Sequence, residues 1–170
     1  MLVRDATPDD ADAIGLILNA LLLTTAIEWT ETPHSRESVE HWLAEHEAVL
    51  VAEQDGEVVG VAAYGWFRDV GKRPGYRFTV ENTIHVHQDH WRSGIGRVLM
   101  RELIDKAKTT GKHAMIAAVD GANERSIRFH ELLGFVEVAR LHEVGEKFGR
   151  WRDLVLLELR LDDRDSPGST

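Results

Sequence analysis

The stretch Thr79-Val-Glu-Asn-Thr-Ile-His-Val-His-Gln-Asp-His-Trp-Arg-Ser-Gly-Ile-Gly-Arg-Val-Leu-Met100 decides the fold of this chain. It reads as the end of a strand, a polar loop, and a Gly-x-Gly turn that opens an amphipathic helix. Glycine lets a backbone approach a ligand closely, and the N–H groups of a helix's first turn favour an anion. Arg92 and Arg97 flank the turn. A Gly-x-Gly pair alone supports a phosphate site and an ordinary helix start about equally.

The segments around this stretch alternate between strand and helix patterns. Helices are predicted after the caps Thr7 and Ser35, over Gly94–Thr110, and from Asn123 to Leu133. Strands are predicted at Met1–Ala6, Ala48–Glu53, Val58–Phe67, Tyr76–Val86, His113–Val119, Phe135–Val144 and Trp151–Leu161. This order indicates an α/β (α+β) fold, with a mixed, mostly antiparallel sheet of about seven strands flanked by about four helices.

Composition places limits on the function. The 170 residues suit one domain, predicted over 1–161, followed by a polar, flexible C-terminal tail over 162–170. The net charge of −9 argues against nucleic acid or an anionic membrane surface as partner. The chain has no cysteine, so disulfides and a cysteine nucleophile are excluded. With no apolar stretch long enough for a membrane span and no signal peptide, the protein is expected in the cytoplasm.

A dinucleotide-binding protein is one alternative. No Gly-Lys-Ser/Thr follows the glycine turn, which excludes a nucleotide P-loop. A dinucleotide fingerprint needs a third glycine, and Leu99 occupies that position, although Asp120 does end the next strand. A melting temperature raised by NAD would support this alternative, and one raised by acetyl-CoA would not.

A second motif lies downstream, Asn123-Glu-Arg-Ser-Ile-Arg-Phe-His-Glu-Leu-Leu-Gly-Phe135. Together with the Gly-x-Gly turn it resembles the GNAT superfamily of acetyl-CoA-dependent N-acetyltransferases. The segment Glu143–Leu154, with Thr24-Thr-Ala and Glu31-Thr-Pro near the N-terminus, is similar to the phosphinothricin and methionine sulfone/sulfoximine acetyltransferases of that superfamily. The resemblance covers Met1–Leu161 and implies a GNAT-like sheet and a homodimer.

The resemblance implies acetyl-CoA as donor and the amine of a small amino-acid-like molecule as acceptor. The backbone of the Glu81 strand would hold the pantetheine arm and acetyl carbonyl, and main-chain N–H groups of the glycine turn would bind the pyrophosphate. The cofactor-binding residues carried over are Ile84, His85, Val86, Arg92, Ser93, Gly94, Ile95, Gly96, Arg97, Asn123 and Ser126. The family has Arg or Gln where this chain has Trp91, and Arg92 is the candidate substitute.

Two residues are candidates for acid–base catalysis. Amine acetylation needs a free amine, so a base must remove a proton from the ammonium. Glu81 matches the base of the family branch; the alternative is a Glu that pairs with Arg77 or lies exposed at a strand edge. His130 stands where the superfamily often has a Tyr that gives a proton to the leaving thiolate. The alternative is a helix-face His packed near Phe135.

The acceptor of this family branch carries a carboxylate, for which Arg68 and Arg77 are the cationic candidates. A pocket for the acceptor's side chain is predicted from aromatic residues near these arginines and from the Glu81 strand. The predicted wall and substrate-binding residues are Trp29, Phe67, Tyr76, Asn82 and Thr83.

Two further hypotheses remain open. His85, His87 and His90 lie close together in sequence, as zinc ligands do, yet a usable site needs geometry and no metal is expected. A non-catalytic CoA-binding regulatory module would keep the cofactor residues without the reaction. Release of free CoA from acetyl-CoA in the presence of amines distinguishes that module from an enzyme.

Overall fold

The computed structural model describes residues 1–22 and 24–168. Within them one mixed sheet has the strand order β1-β2-β3-β4-β5-β7-β6, in which only β4 and β5 pair in parallel. The strands are β1 Leu2–Asp5, β2 Ala48–Gln54, β3 Glu57–Trp66, β4 Thr79–Val86, β5 Ala114–Asp120, β6 Val136–Lys147 and β7 Arg150–Arg160. The helices are α1 Ala11–Leu22, α2 Arg36–Glu45, α3 Ile95–Thr109 and α4 Glu124–Glu131. The predicted fold class and element order are confirmed.

The sheet is covered on both faces, and the middle of β2 and of β3 is apolar on both sides. Along β2 and β3, one set of alternate side chains joins the cluster under α3, and the other set joins the cluster under α1 and α2. The amphipathic helix α3 inserts Leu99, Met100 and Leu103 into the first cluster. Val39 of α2 and Ile14 of α1 belong to the second. The two layers hold β4 rigidly between them.

The pairing of β4 with β5 is short. It runs from Thr79 opposite Ala114 to Asn82 opposite Ala117, and both strands continue beyond it. On its other edge β5 pairs with β7 along its whole length, and β4 stays paired with β3 as far as Val86. The two strands therefore separate after Asn82 and leave an opening between residues 83–86 and 118–120. We call this opening the β4–β5 cleft.

Some predicted boundaries differ from those observed. Pro74–Tyr76 forms a short 3-10 turn, and Arg77 N–H bonds back to Pro74 O at 3.2 Å, so β4 begins at Thr79 rather than Tyr76. β6 ends at Lys147 rather than Val144, β7 is shifted by one residue from its predicted bounds, and the two strands form one hairpin. Its turn is Phe148-Gly149, with φ of 54° and 70°, the left-handed pair that a tight hairpin requires.

The C-terminal residues begin with defined contacts. Asp162 lies 2.6 Å from His113 Nδ1, and Arg164 donates to Gly111 O at 2.6 Å. The predicted tail continues to residue 170, and its last two residues lie outside those described. No described helix combines the length and hydropathy that crossing a bilayer demands.

Candidate active site

A cavity of about 270 Å³ opens where β4 and β5 separate. Alternation along β4 sends side chains to both faces of the sheet. Glu81, Thr83 and His85 lie on the α1–α2 face, where the partners of Thr83 and His85 on β3 belong to the cluster under those helices. Asn82 and Ile84 lie on the α3–α4 face. The cavity thus reaches groups on both sides of one strand.

The edge of β4 beyond Asn82 directs peptide groups away from β3. His87 N–H bonds to Val59 O at 2.9 Å, so the alternate residue His85 also directs its N–H and C=O toward β3. Ile84 and Val86 therefore direct theirs toward the β4–β5 cleft. Of the three predicted backbone contacts on β4, His85 therefore differs from Ile84 and Val86. Its N–H and C=O are hydrogen-bonded to β3 and are not available to a ligand in the cleft.

The glycine turn opens α3 beside this edge. Gly94 is the N-cap, with a left-handed φ of 90°, and its side chain position has no protein atom within 4 Å. No side chain caps the helix, and of its first N–H groups that of Arg97 bonds back to Gly94 O at 3.0 Å. Gly96 is packed instead: a Cβ there would lie 3.6 Å from Phe129 and from Val86. The start of α3 is therefore a candidate anion site, with Gly94 on its open side.

Trp91 does more than replace a cation. Its indole N–H donates to Val86 O at 2.8 Å, which closes the loop between β4 and the turn. The guanidinium of Arg125, in the first turn of α4, lies over the Trp91 ring at 4.5 Å. Trp91 replaces the Arg or Gln of the family, and Arg92 was the predicted substitute for that residue. In the structure, the cation beside Trp91 is Arg125 of α4. Arg92, Ser93 and Arg97 are exposed around the turn.

Glu81 lines the cavity and is partly buried. Burial raises the pKa of its carboxyl above the ordinary value, and the charge of Arg68 opposes that rise in part. The alternative partner Arg77 does not reach it: that guanidinium stacks on Phe78 at 4.4 Å and donates to Pro74 O at 3.2 Å. Glu81 is a carboxylate held in the cavity wall with a raised proton affinity.

His130 lies on the opposite face, on α4, and is 2% exposed. Its Nδ1 lies 2.8 Å from Ser126 O, and its Nε2 lies 3.2 Å from Asn82 Oδ1. The amide of Asn82 is oriented by its Nδ2, which donates to Ile116 O at 3.0 Å. Burial lowers the pKa of His130, and the bond to Ser126 raises it in part. Both ring nitrogens face oxygen acceptors, so only the protonated ring satisfies both.

Asn123 and Ser126 close the end of the cavity at the start of α4. Asn123 Oδ1 accepts from Ser126 N at 3.1 Å and caps the helix. Both residues line the cavity. Of the predicted cofactor residues, Ile84, His85, Asn123 and Ser126 line the cavity, and Val86 and the residues of the glycine turn do not.

Comparison with known proteins agrees with this geometry. The model of the acetyltransferase (GNAT) family matches residues 17–135. The chain belongs to the GNAT family of acetyltransferases. It is 39% identical over 171 residues to the L-methionine sulfoximine/L-methionine sulfone acetyltransferase of Salmonella typhimurium, covering 98% of each chain.

Two solved structures are similar throughout. An acetyltransferase from Salmonella typhimurium, solved with its cofactor acetyl-CoA, has a TM-score of 0.93 and 38% identity, covering 100% of this chain and 99% of that one. A phosphinothricin acetyltransferase from Sinorhizobium meliloti, in complex with acetyl-CoA, has a TM-score of 0.88 and 30% identity, covering 94% and 87%. The predicted resemblance to this branch of acetyltransferases is confirmed.

Not every predicted substrate residue of this acetyltransferase lies at the cavity. Arg68 stacks on Phe67 at 4.5 Å, and Phe67 packs edge-on against Tyr76 at 6.0 Å, so neither aromatic ring forms a cavity wall. Arg77 is turned to Phe78. The apolar walls are instead side chains from the two N-terminal helices and the segment between them, namely Leu18, Ile27 and Trp42.

Sequence reasoning missed a polar cluster in the acetyltransferase's cavity wall. Glu28 lies between two histidines, 2.9 Å from His34 Nε2 and 3.4 Å from His85 Nε2. Burial lowers the pKa of His85. The segment that carries Glu28 has no helical or strand periodicity, so no sequence signal pointed to it. His87 and His90 lie on the exposed turn after β4, and the described residues hold no group of three metal-ligating side chains.

Proposed function

We propose that this acetyltransferase transfers the acetyl group of acetyl-CoA to the α-amine of a small L-amino acid with a polar side chain. Methionine sulfone, methionine sulfoximine and phosphinothricin are the acceptors of this class that the names of its relatives suggest. The observation that carries the proposal is the β4–β5 cleft, which has Glu81 on one face of the sheet and His130 on the other. An acyl thioester lying in the cleft would have a base and an acid on opposite sides.

The donor side of the site uses mainly main-chain groups. The N–H groups of Ile84 and Val86 are available to the pantetheine amides and to the acetyl carbonyl, whose developing negative charge they would stabilise. The first-turn amides of α3, with Gly94 at their open side, suit a diphosphate. Arg92, Arg97 and Arg125 supply cationic charge around it in a chain of net charge −9. This explains how an acidic protein accommodates an anionic donor.

Glu81 acts on the acceptor. Its raised pKa keeps it a usable base near neutral pH. It takes a proton from the acceptor's ammonium, directly or through water, and the free amine then attacks the thioester carbonyl. The N–C bond forms as the C–S bond breaks, and no cysteine is present to form an acyl-enzyme. Arg68, whose charge already acts on Glu81, is the stronger of the two predicted arginines for the acceptor's carboxylate.

His130 acts on the leaving group. The acceptors Ser126 O and Asn82 Oδ1 favour a proton on each ring nitrogen, which opposes the effect of burial. The Nε2 proton is the mobile one, because its bond to Asn82 is the longer at 3.2 Å. That proton passes to the thiolate of CoA as the C–S bond breaks. The nitrogen loses a second proton as the amide forms, and this proton restores His130, directly or through water. Glu81 releases the first proton to solvent, so each turnover releases one proton.

We further propose a cytoplasmic homodimer. β6 is an edge strand, and its outer side and the start of β7 expose Val136, Val138, Leu141, Val144 and Trp151. An exposed apolar row on an edge strand is a surface that proteins cover. A second copy is the expected occupant, and sedimentation of the purified chain at micromolar concentration checks it: a monomer of 19.2 kDa would contradict this part.

The proposed activity is tested by incubating the chain with acetyl-CoA and a panel of L-amino acids and their sulfone, sulfoximine and phosphinic analogues. Free CoA is titrated and the N-acetyl product is identified by mass. We expect stoichiometric CoA and N-acetyl product with at least one member of the panel. Tight acetyl-CoA binding with no turnover on any amine would identify the chain as a CoA-binding module instead.

A further inference from the structure

Two segments that resembled one branch of the family lie more than a hundred residues apart in sequence and meet in the structure. One is the connection between α1 and α2, of which we call residues 24–34 the acceptor loop. The other is the β6–β7 hairpin end. Phe148 N–H donates to Glu31 Oε1 at 3.3 Å, joining the hairpin turn to the loop. Ile27, Glu28 and His34 of the loop line the cavity.

Lys147 makes the principal connection between them. Its side chain is 1% exposed, an unusual place for an ammonium, since a buried charge needs compensating partners. Its Nζ donates to Leu22 O at 2.9 Å and to Thr30 O. These carbonyls belong to the end of α1 and to the middle of the acceptor loop. One ammonium therefore joins the middle of the loop to the end of α1.

Trp29 provides a second connection. A Cβ at Gly145 of β6 would overlap the Trp29 ring, so the hairpin backbone is in direct contact with the indole. The indole N–H donates to Asp120 Oδ2 at 3.1 Å, and Asp120 ends β5 at the cavity. Trp29 of the loop thus lies between the hairpin and the end of β5, and Lys147 adds a hydrogen bond to the same loop.

We infer that Lys147 is a positioning residue for the acceptor, acting through the acceptor loop and not on the donor. The inference rests on the proposed function in one respect, that the acceptor binds in the cavity beside Glu28 and His34. Because the donor side uses β4, the glycine turn and α4, release of the loop leaves donor binding intact. The apparent affinity for the acceptor then falls in proportion to the fraction of enzyme molecules whose loop is still closed.

The test is Lys147→Met, with KM measured separately for acetyl-CoA and L-methionine sulfone. We expect the acceptor KM to rise at least tenfold and the acetyl-CoA KM to stay within twofold. Hydrogen exchange of the loop amides over 24–34 should increase selectively. Lys147→Arg, which can still donate to both carbonyls, should recover part of the loss.

Lys112→Met is the matched control. Lys112 is likewise buried, at 6% exposed, but it bonds Glu47 at 2.6 Å, away from the loop. Its loss should lower the melting temperature without a selective effect on the acceptor KM. If Lys147→Met does not fold, Gly145→Ala displaces Trp29 and should give the same selective KM rise.

Two results would overturn the inference: an unchanged acceptor KM in folded Lys147→Met, or a parallel rise of both KM values. If the parent enzyme acetylates no amine, the proposed function fails by itself. Loop exchange in Lys147→Met then still decides whether Lys147 holds the loop: unchanged exchange rejects it, and a selective increase supports it.

Discussion

Replacing Gly94 by Ala tests the donor site, and replacing Gly111 by Ala controls for the effect of such a change on stability, because the two glycines lie at opposite ends of α3. Gly94 and Gly111 have φ of 90° and 74°, and neither would place a Cβ within 4 Å of another atom. An L-residue in this left-handed region costs about 1–2 kcal/mol. For a chain of this size, each kcal/mol corresponds to a fall in Tm of roughly 2–4 °C. Both Ala variants should therefore lose similar stability.

Only Gly94→Ala should weaken acetyl-CoA. Its new methyl group occupies the open side of the first-turn amides, where the diphosphate is proposed to lie. Loss of one hydrogen bond from an amide to a charged acceptor costs about 1.5–3 kcal/mol, which corresponds to roughly a 10- to 100-fold rise in Kd. Calorimetric titration of both variants with acetyl-CoA measures this, with Gly111→Ala expected within twofold of the parent. Equal affinities for Gly94→Ala and Gly111→Ala would refute the placement of the diphosphate.

Two further predictions concern protonation. The pKa of Glu81 is raised in the folded state, so its ionised form is penalised and stability is lost as pH rises from about 4.3 through the folded value. Glu81→Gln should therefore raise Tm at pH 8 and leave it unchanged near pH 4 in calorimetric scans; a lower Tm at pH 8 would contradict the raised pKa. Asn82→Leu removes the acceptor that faces His130 Nε2, so the pKa of His130 should fall further. The alkaline limb of the kcat profile should move to lower pH, and an unmoved limb would argue against His130 as the proton donor.

The sequence specifies the local structure of the proposed donor side better than the arrangement of the proposed acceptor side. Periodicity and glycine positions specify local structure, and the donor residues are local: one strand, one turn and one helix start carry them in chain order. The face of β4 that carries Glu81 also follows from alternation alone. The sequence did not reveal where β4 and β5 separate, because that depends on pairing register across the sheet.

The acceptor side depends on long-range contacts without a pattern. Trp29 was predicted as a pocket wall, but it does not line the cavity; it contacts Asp120 and Gly145, which are 91 residues or more away in sequence. Arg77 and Tyr76 were predicted in a strand at the pocket, but Pro74 starts a turn that directs Arg77 to Phe78. Glu28 lies in an irregular connection that is hydrogen-bonded at Thr30 to Lys147, a residue far along the chain.

The central claim is that Glu81 is the base in direct transfer from acetyl-CoA to an amine, and the rate of Glu81→Gln across pH tests it most directly. With the best acceptor from the panel, kcat at pH 7 should fall by ~10²–10⁴-fold, the usual contribution of a positioned general base. The loss should shrink as pH rises, because solution then supplies the free amine, and acetyl-CoA affinity should be unchanged. A kcat close to the parental value at pH 7 would contradict the claim.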